Sequence, residues 1–359
     1  MTIQAERQMH RALNLAANPL LVRMGVQPEG RPLYGGAMAA SPDELELICA
    51  DFDRALELML SVGLRLEMIS PADDPHTAIL ARNGMKVRLT SRPDSPPRAD
   101  GLPDFLPEFI LTRAGTAAGK GRAGMHYRDL IPSRLGGRYI ASHILIPEGG
   151  AVPDWVHFHR IAVQLICVRN GWVRVAYEDQ GEPILMAAGD MVLQPPEIRH
   201  RVLECSPGLE VVEITCPAFH ETFAEYEIAL PNAEPGGRDF GGQRFLRHVA
   251  AQAPWTQWQG AEAQATRVSE ATGGVAEARI VRPDASPTVE VPPHDGELVF
   301  GFLLEGSARL ERGESYPLAP ADSFVIPPGE AWSLAAMSDD LRLLHVTTAK
   351  MVSQHPPSV

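Results

Sequence analysis

The sequence predicts a mainly β chain, with two β-barrel domains preceded by a small α+β segment. Three observations predict it. Short apolar runs recur from about Tyr139 to Cys216, and again from about Ala276 to Val346, each bounded by Gly, Pro, Asp or Asn turn signals. The 359 residues include 31 Gly and 32 Pro, a density of turns that favours short strands over long helices. The two β tracts also share one rhythm, and an internal duplication is the economical account.

Composition excludes several classes. Hydrophobic residues make up 45% of the chain and charged residues 21%, which suits a globular protein with cores. Lys and Arg total 32 against 45 Asp and Glu, a formal charge of −13. That balance argues against a dedicated nucleic-acid or anionic-membrane binder, whose surface needs clustered positive charge. No apolar run approaches the ~18 residues of a membrane span. The opening MTIQAERQMHRALNL mixes acid, base and amide, unlike a secretion signal, so a cytoplasmic protein is expected. Cys49, Cys167, Cys205 and Cys216 lack CxxC spacing and suggest neither a disulfide framework nor a zinc knuckle.

In chain order, residues 1–36 read as a short helix and a Gly/Pro loop. Residues 37–95 read as strand, helix and three strands. LELICA is short and apolar, and Asp51 can cap a helix whose apolar positions Phe52, Ala55, Leu56, Met59 and Leu60 recur at helical spacing. LRLEMI, TAILA and KVRLT follow, with Asn83-Gly84 as a hairpin turn. This βαβββ order, with the phrase ADFDRALELMLSVGLRLEM, resembles one half of a glyoxalase-type (vicinal oxygen chelate) module. The metal-binding members pair two such modules, and no second one is found. Glu44 stands where the first strand often carries His, and Arg88 or Leu89 replaces the last-strand acid. The segment therefore reads as a structural or dimerising appendage.

Residues 96–130 are rich in Pro and Gly and read as a linker. Its GTAAGKG piece has three residues between glycines rather than a phosphate loop's four, and Gly121 where Ser or Thr would hold magnesium. The first β domain is placed at 131–225, a connecting segment at 226–265 and the second β domain at 266–350.

The chemistry concentrates in the first β domain. His157 and His159 are one residue apart, so on a strand both imidazoles face the same side. Gln164 and Gly171 follow, and later Gly189, Pro195 and His200. This order resembles the two motifs of the cupin family: Gly, His-x-His, an acid or amide, Gly, and then Gly-Asp, Pro and a closing His. The resemblance implies jelly-roll barrels and puts His157, His159, Gln164 and His200 at the four metal-ligand positions. Gln164 replaces the usual Glu, and Glu197 stands where Gly usually follows the Pro. The structural alternative is three hydrogen-bonded histidines in a barrel lumen.

In the second domain, aligning Gly306 with Gly171 puts Pro292, His294 and Val299 at the first three ligand positions, and Trp332 takes the fourth. One ligand of four survives, so this cupin is expected to be degenerate and metal-free. The chain is thus expected to be a bicupin with one divalent metal ion, Fe(II) first and Zn, Ni, Mn or Cu as alternatives. Three imidazoles and an amide leave the metal's charge uncompensated and would attract an anionic, chelating small molecule. Gln164 could instead hydrogen-bond a bound water.

Glu213 shares strand parity with Leu209 and Val211; pointing inward, it could shuttle protons, and pointing outward it would be solvated. Trp155 and Arg160 could frame a pocket mouth, Tyr177 and Arg174 are weaker substrate-contact candidates, and His143 reads as a core histidine. By analogy with similar cupins, the leading expectation is a dioxygenase-type oxidoreductase. A metal-dependent isomerase or lyase, with Glu213 as base, and a non-catalytic binding protein stay open, as does a homodimer.

Overall fold

In the computed structural model, residues 44–92, 101–120, 125–233, 238–286 and 288–351 are described; the helix expected within residues 1–36 lies outside them. The chain divides into two units, Met1–Pro97 and Arg98–Val359.

The first unit has the βαβββ order read from the sequence. Strand β1 (Glu44–Ile48) leads to helix α1 (Phe52–Ser61), then β2 (Arg65–Ser70), β3 (Thr77–Arg82) and β4 (Met85–Thr90). The Asp51 carboxylate accepts from the Arg54 N–H at 3.1 Å and caps the helix. Phe52, Ala55 and Met59 turn inward, whereas Leu60 is exposed. Asn83 (φ 51°) and Gly84 (φ 82°) both take the left-handed conformation that a two-residue hairpin needs, with Arg82 opposite Met85. β1 runs parallel to β4, and the sheet order is β1-β4-β3-β2.

The second unit holds two jelly-roll barrels of the cupin type. In the first barrel, Thr222–Ala224, His157–His159, His200–Cys205, Trp172–Tyr177 and Ile184–Ala187 are neighbours in one sheet. The facing sheet is centred on Val163–Asn170 and Leu209–Cys216, flanked by Met191–Gln194 and Ile140–Ile146. In the second barrel, Leu298–Glu305 and Arg342–Thr348 occupy the matching centre, with Ala276–Arg282 and Ser323–Ile326 beside them. Its other sheet is Thr288–Val291, Trp332–Ala335, Ala308–Arg312 and Glu314–Leu318.

The central sheets are buried on both faces. Val163, Leu165, Cys167, Val212 and Ile214 join Ile280, Phe300, Phe302, Leu344 and Val346 in one cluster shared by the two barrels. Alternate residues, including Val168, Leu209 and Val211, face the first lumen with Val173, Val175 and Tyr177. The segment read as a linker contributes more than a connection. Ile110–Thr112 pairs with Ser323–Ile326 at the edge of the second barrel, and His126–Asp129 pairs with Ile140–Ile146 in the first. Within the connecting segment, Leu246–His248 pairs with Met191–Gln194.

A buried polar clamp joins the barrels. Glu297 accepts from Arg138 Nε at 2.8 Å and Nη2 at 2.6 Å, from Tyr139 Oη at 2.9 Å and from the Met351 N–H at 3.0 Å. Glu297→Leu would strand the buried guanidinium, and we expect a loss of about 3–5 kcal/mol. The double variant Arg138→Met/Glu297→Leu should regain most of it, as read by urea denaturation.

Candidate metal centre

His157–His159 is a three-residue strand whose alternation sends both rings into the first lumen, and His157 is paired directly with His200 across the sheet. The three rings converge: their centroids are 5.2 Å apart for His157–His159, 4.2 Å for His157–His200 and 5.2 Å for His159–His200. One ligand atom from each lies within 4.8 Å of the others, and all three residues are buried. They could hold a metal ion.

Each ring is anchored through Nδ1. That atom is 2.8 Å from the Trp155 carbonyl in His157, 3.0 Å from the Ile198 carbonyl in His200, and 3.3 Å from the Thr222 hydroxyl in His159. A carbonyl only accepts, so Nδ1 of His157 and His200 must donate, and each lone pair sits on Nε2. Neutral, oriented imidazoles of this kind suit a divalent transition metal, so the donor set fits the metal that the sequence implies. The carboxylate of Asp154, 3.5 Å from His157 Nδ1, adds a negative charge behind that ring.

Gln164 lies beside the triad in a defined orientation. Tyr177 Oη donates to Gln194 Oε1 at 2.7 Å, and Gln194 Nε2 donates to Gln164 Oε1 at 2.8 Å. Gln194 Nε2 is also 3.4 Å from His200 Nε2. Because that nitrogen carries the lone pair, only an N–H can face it; the Ile198 carbonyl thus fixes the direction of the whole relay. Gln164 therefore already accepts one hydrogen bond at the oxygen that would serve as ligand.

Glu213 sits on the lumen face of Leu209–Cys216, opposite Ile166, and is partly buried. Its Oε1 accepts from the Thr215 hydroxyl at 3.3 Å. Burial, with a smaller contribution from the Glu213 charge, pushes the Tyr177 phenol well above the ordinary tyrosine range, so Tyr177 stays a donor. The other candidates lie apart. Arg160 pairs with Glu197 and covers Phe223, and Arg174 pairs with Glu204; both are exposed. His143 bonds Arg128 and Glu210 and packs on Phe302, and burial lowers its pKa. Trp155 lends its carbonyl to His157.

Sequence reasoning missed Gln194, Thr222 and His220. The His220 ring meets His159 edge-on at 5.4 Å, and its Nδ1 is 3.1 Å from the Pro217 carbonyl. The motif spacing carries no signal for these residues, which arrive from other strands and loops.

The motif's departure at Glu197 has a backbone reason. Glu197 has φ 59°, and its N–H donates to the His159 carbonyl at 3.0 Å. Gly329 of the second barrel has φ 82° and donates to the His294 carbonyl at 2.8 Å. The same left-handed turn occurs twice, with the expected glycine only in the second copy. There Val291, rather than Pro292, stands opposite Trp332, because the strand ends before Pro292-Pro293, which lack N–H donors.

No family model matches the chain, and no curated protein matches it either. Solved structures do. Protein Ylba from E. coli is 10% identical with a TM-score of 0.53, the alignment covering 71% of this chain and 96% of that one. The putative glyoxylate induced protein from Pseudomonas aeruginosa is 10% identical at 0.52, covering 73% and 97%. A salicylate 1,2-dioxygenase from Pseudaminobacter salicylatoxidans is 16% identical at 0.49, covering 69% and 86%. At 10% identity, the first two likenesses speak to the fold alone. Among the described residues, no helix is long and apolar enough to cross a membrane.

Two outcomes follow from the buried polar groups. Gln194→Leu leaves the Gln164 oxygen and the Tyr177 hydroxyl without their partner, at a cost of about 1–3 kcal/mol. Tyr177→Phe should add little once Gln194 is gone, and a double-mutant cycle in urea measures this non-additivity. In the second barrel, burial chiefly, with the nearby Arg279 charge, lowers His345 from 6.5 to about 3. The unfolded chain protonates this ring below about pH 6.5, whereas the folded chain does so only near pH 3. Stability is therefore full above that window and falls as the pH drops through it, by up to about 1.4 kcal/mol per unit from this residue. Urea midpoints from pH 7 to pH 4 should fall less steeply in His345→Phe.

Proposed function

We propose that this chain is a mononuclear metal-dependent cupin oxidoreductase of the dioxygenase type, acting on a small, anionic, oxygen-chelating organic molecule. His157, His159 and His200 would hold the metal. The observation that carries the reading is the convergence of these three buried imidazoles on one point, with the Nδ1 atoms turned to backbone carbonyls or a hydroxyl. No carboxylate belongs to this ligand group, so a bound divalent ion would keep its charge and favour an anionic chelate. An iron(II) ion there supplies redox chemistry with dioxygen, which makes Fe(II) our first choice over Zn, Ni, Mn or Cu.

The chain's own residues perform binding and orientation. Val168, Val173, Val175 and Met186 line an apolar lumen that excludes water around a bound molecule. The Tyr177–Gln194 relay holds the Gln164 amide in one orientation beside the triad. In this reading Gln164 steadies a bound water or substrate oxygen instead of completing the ligand set. Glu213, on a lumen-facing strand position, would take or give a proton in this reading.

Glu213 also supports a second reading, a metal-dependent isomerase or lyase with this carboxylate as base. The first unit stays structural in both readings: Glu44 and Arg88, at the positions compared with glyoxalase ligands, form an ion pair at 2.7 Å.

Elemental analysis of the purified chain should find one equivalent of iron, lost in His157→Ala. Candidate phenolic, diketone or hydroxy-acid substrates should then be consumed with stoichiometric oxygen uptake. Turnover under strict anaerobiosis, supported by zinc, would transfer the assignment to the isomerase or lyase. Absence of metal after reconstitution would overturn both.

A further inference from the structure

The lumen of the second barrel contains an unmatched set of hydrogen-bonding groups. His345 lies on Arg342–Thr348 with the parity of the lumen residues Leu341 and Leu343, and it is 3% exposed. Neither of its ring nitrogens has a hydrogen-bond partner among the described residues. Among the described residues, Trp332, also 3% exposed, has no partner for its Nε1–H, and His294 has none for Nδ1. Such buried groups are uncommon because each one left unmade costs about 1–3 kcal/mol.

His345 and Trp332 share one neighbourhood. The His345 ring centroid is 5.7 Å from that of Trp332 and 5.1 Å from that of Trp258. The Arg279 guanidinium forms an ion pair with Glu277 and lies 4.9 Å from the Trp258 ring centroid, and Arg279 is paired with His345 in the sheet register. The location repeats that of the first site. Glu213 stands opposite Ile166 in the first barrel, and His345 stands opposite Gly301 in the second; Gly171 and Gly306 follow at the same interval.

The donor and acceptor inventory specifies a ligand. Trp332 Nε1–H and the one N–H of a neutral His345 both donate, and Arg279 adds a cation. His294 Nε2 is 3.2 Å from the Ile326 carbonyl and must donate to it, so Nδ1 carries a lone pair and accepts. The second nitrogen of His345 accepts as well. Two N–H donors on neighbouring rings, with a guanidinium near them, suit a carboxylate, and the remaining ring acceptors suit a hydroxyl.

We propose that the second barrel is a binding site for a small hydroxycarboxylate. Its carboxylate accepts from Trp332, His345 and Arg279, and its hydroxyl donates to His294, with Trp258 forming an aromatic wall.

The test uses the full chain, labelled with ¹⁵N at its indole nitrogens and stripped of metal, so that the first barrel's centre takes no part. Trp332→Phe assigns the Trp332 resonance. Titration with glycolate should shift that resonance in a saturable way. Acetate, which lacks the hydroxyl, and ethylene glycol, which lacks the charge, should each bind at least about tenfold more weakly. Arg279→Gln, at the partly exposed rim, should weaken glycolate by about the same factor without disturbing the core. A Trp332 resonance that glycolate leaves unmoved would mean that water or nothing occupies the site, and would overturn the proposal. Equal responses to the three probes, or an unchanged titration in Arg279→Gln, would overturn it too. The metal-free format keeps this result separate from that of the first barrel.

Discussion

The constraint on which the rest of this structure depends is the burial of the central sheets on both faces. One face of Val163–Asn170 and Leu209–Cys216 belongs to the core shared by the barrels, and the other lines a lumen. A one-residue slip would exchange the two sets. Any polar side chain on the lumen face must find its partner inside the barrel. Gln164, Gln194, Tyr177, Glu213 and Thr215 satisfy that demand among themselves, and the relay beside the histidines is the outcome. The ordering of the polar groups beside the histidines is thus a property of the barrel's strand pairing.

The histidines are oriented by a shorter-range device. His157 and His200 each send Nδ1 to the carbonyl two residues earlier, at Trp155 and Ile198. Such contacts depend on local backbone alone, so they survive as long as the strand ends keep their course. They also fix which nitrogen carries the lone pair, and such preorganisation would lower the cost of binding a metal ion there. The third ring, His159, is held by Thr222 from the adjacent strand, a tertiary contact in place of a local one.

This division explains what the sequence disclosed. His157 and His159 were legible because strand alternation needs only a spacing of two, and His200 because its motif carries Gly189 and Pro195 with it. The hairpin at Asn83-Gly84 and the cap at Asp51 were legible for the same local reasons. Gln194 and Thr222 were not, because their contacts depend on pairings between strands apart in sequence, and His220 lies in a loop outside the motif. Ile110–Thr112 escaped notice likewise: three residues in a Pro-rich stretch carry no periodic signal, and its pairing partner lies over two hundred residues later. Glu213 could be assigned a parity but not a face until the sheet's two environments were known.

The second barrel keeps the architecture of the first at positions where the three histidines are not repeated. The left-handed turn, the strand pairing and the lumen parity all remain, since the fold requires them. Loss of the metal ligands alone would lead to an apolar filling, and Phe324 moves that way: its ring lies where a side chain at Gly301 would begin. Yet His345 occupies the place of Glu213, and Trp332 that of His200, with nitrogens that apolar packing cannot satisfy. A lumen under selection for stability alone has cheaper residues for those positions, such as Leu or Phe. Buried, unmatched nitrogens at these two positions are groups that a polar ligand would satisfy and apolar packing would not.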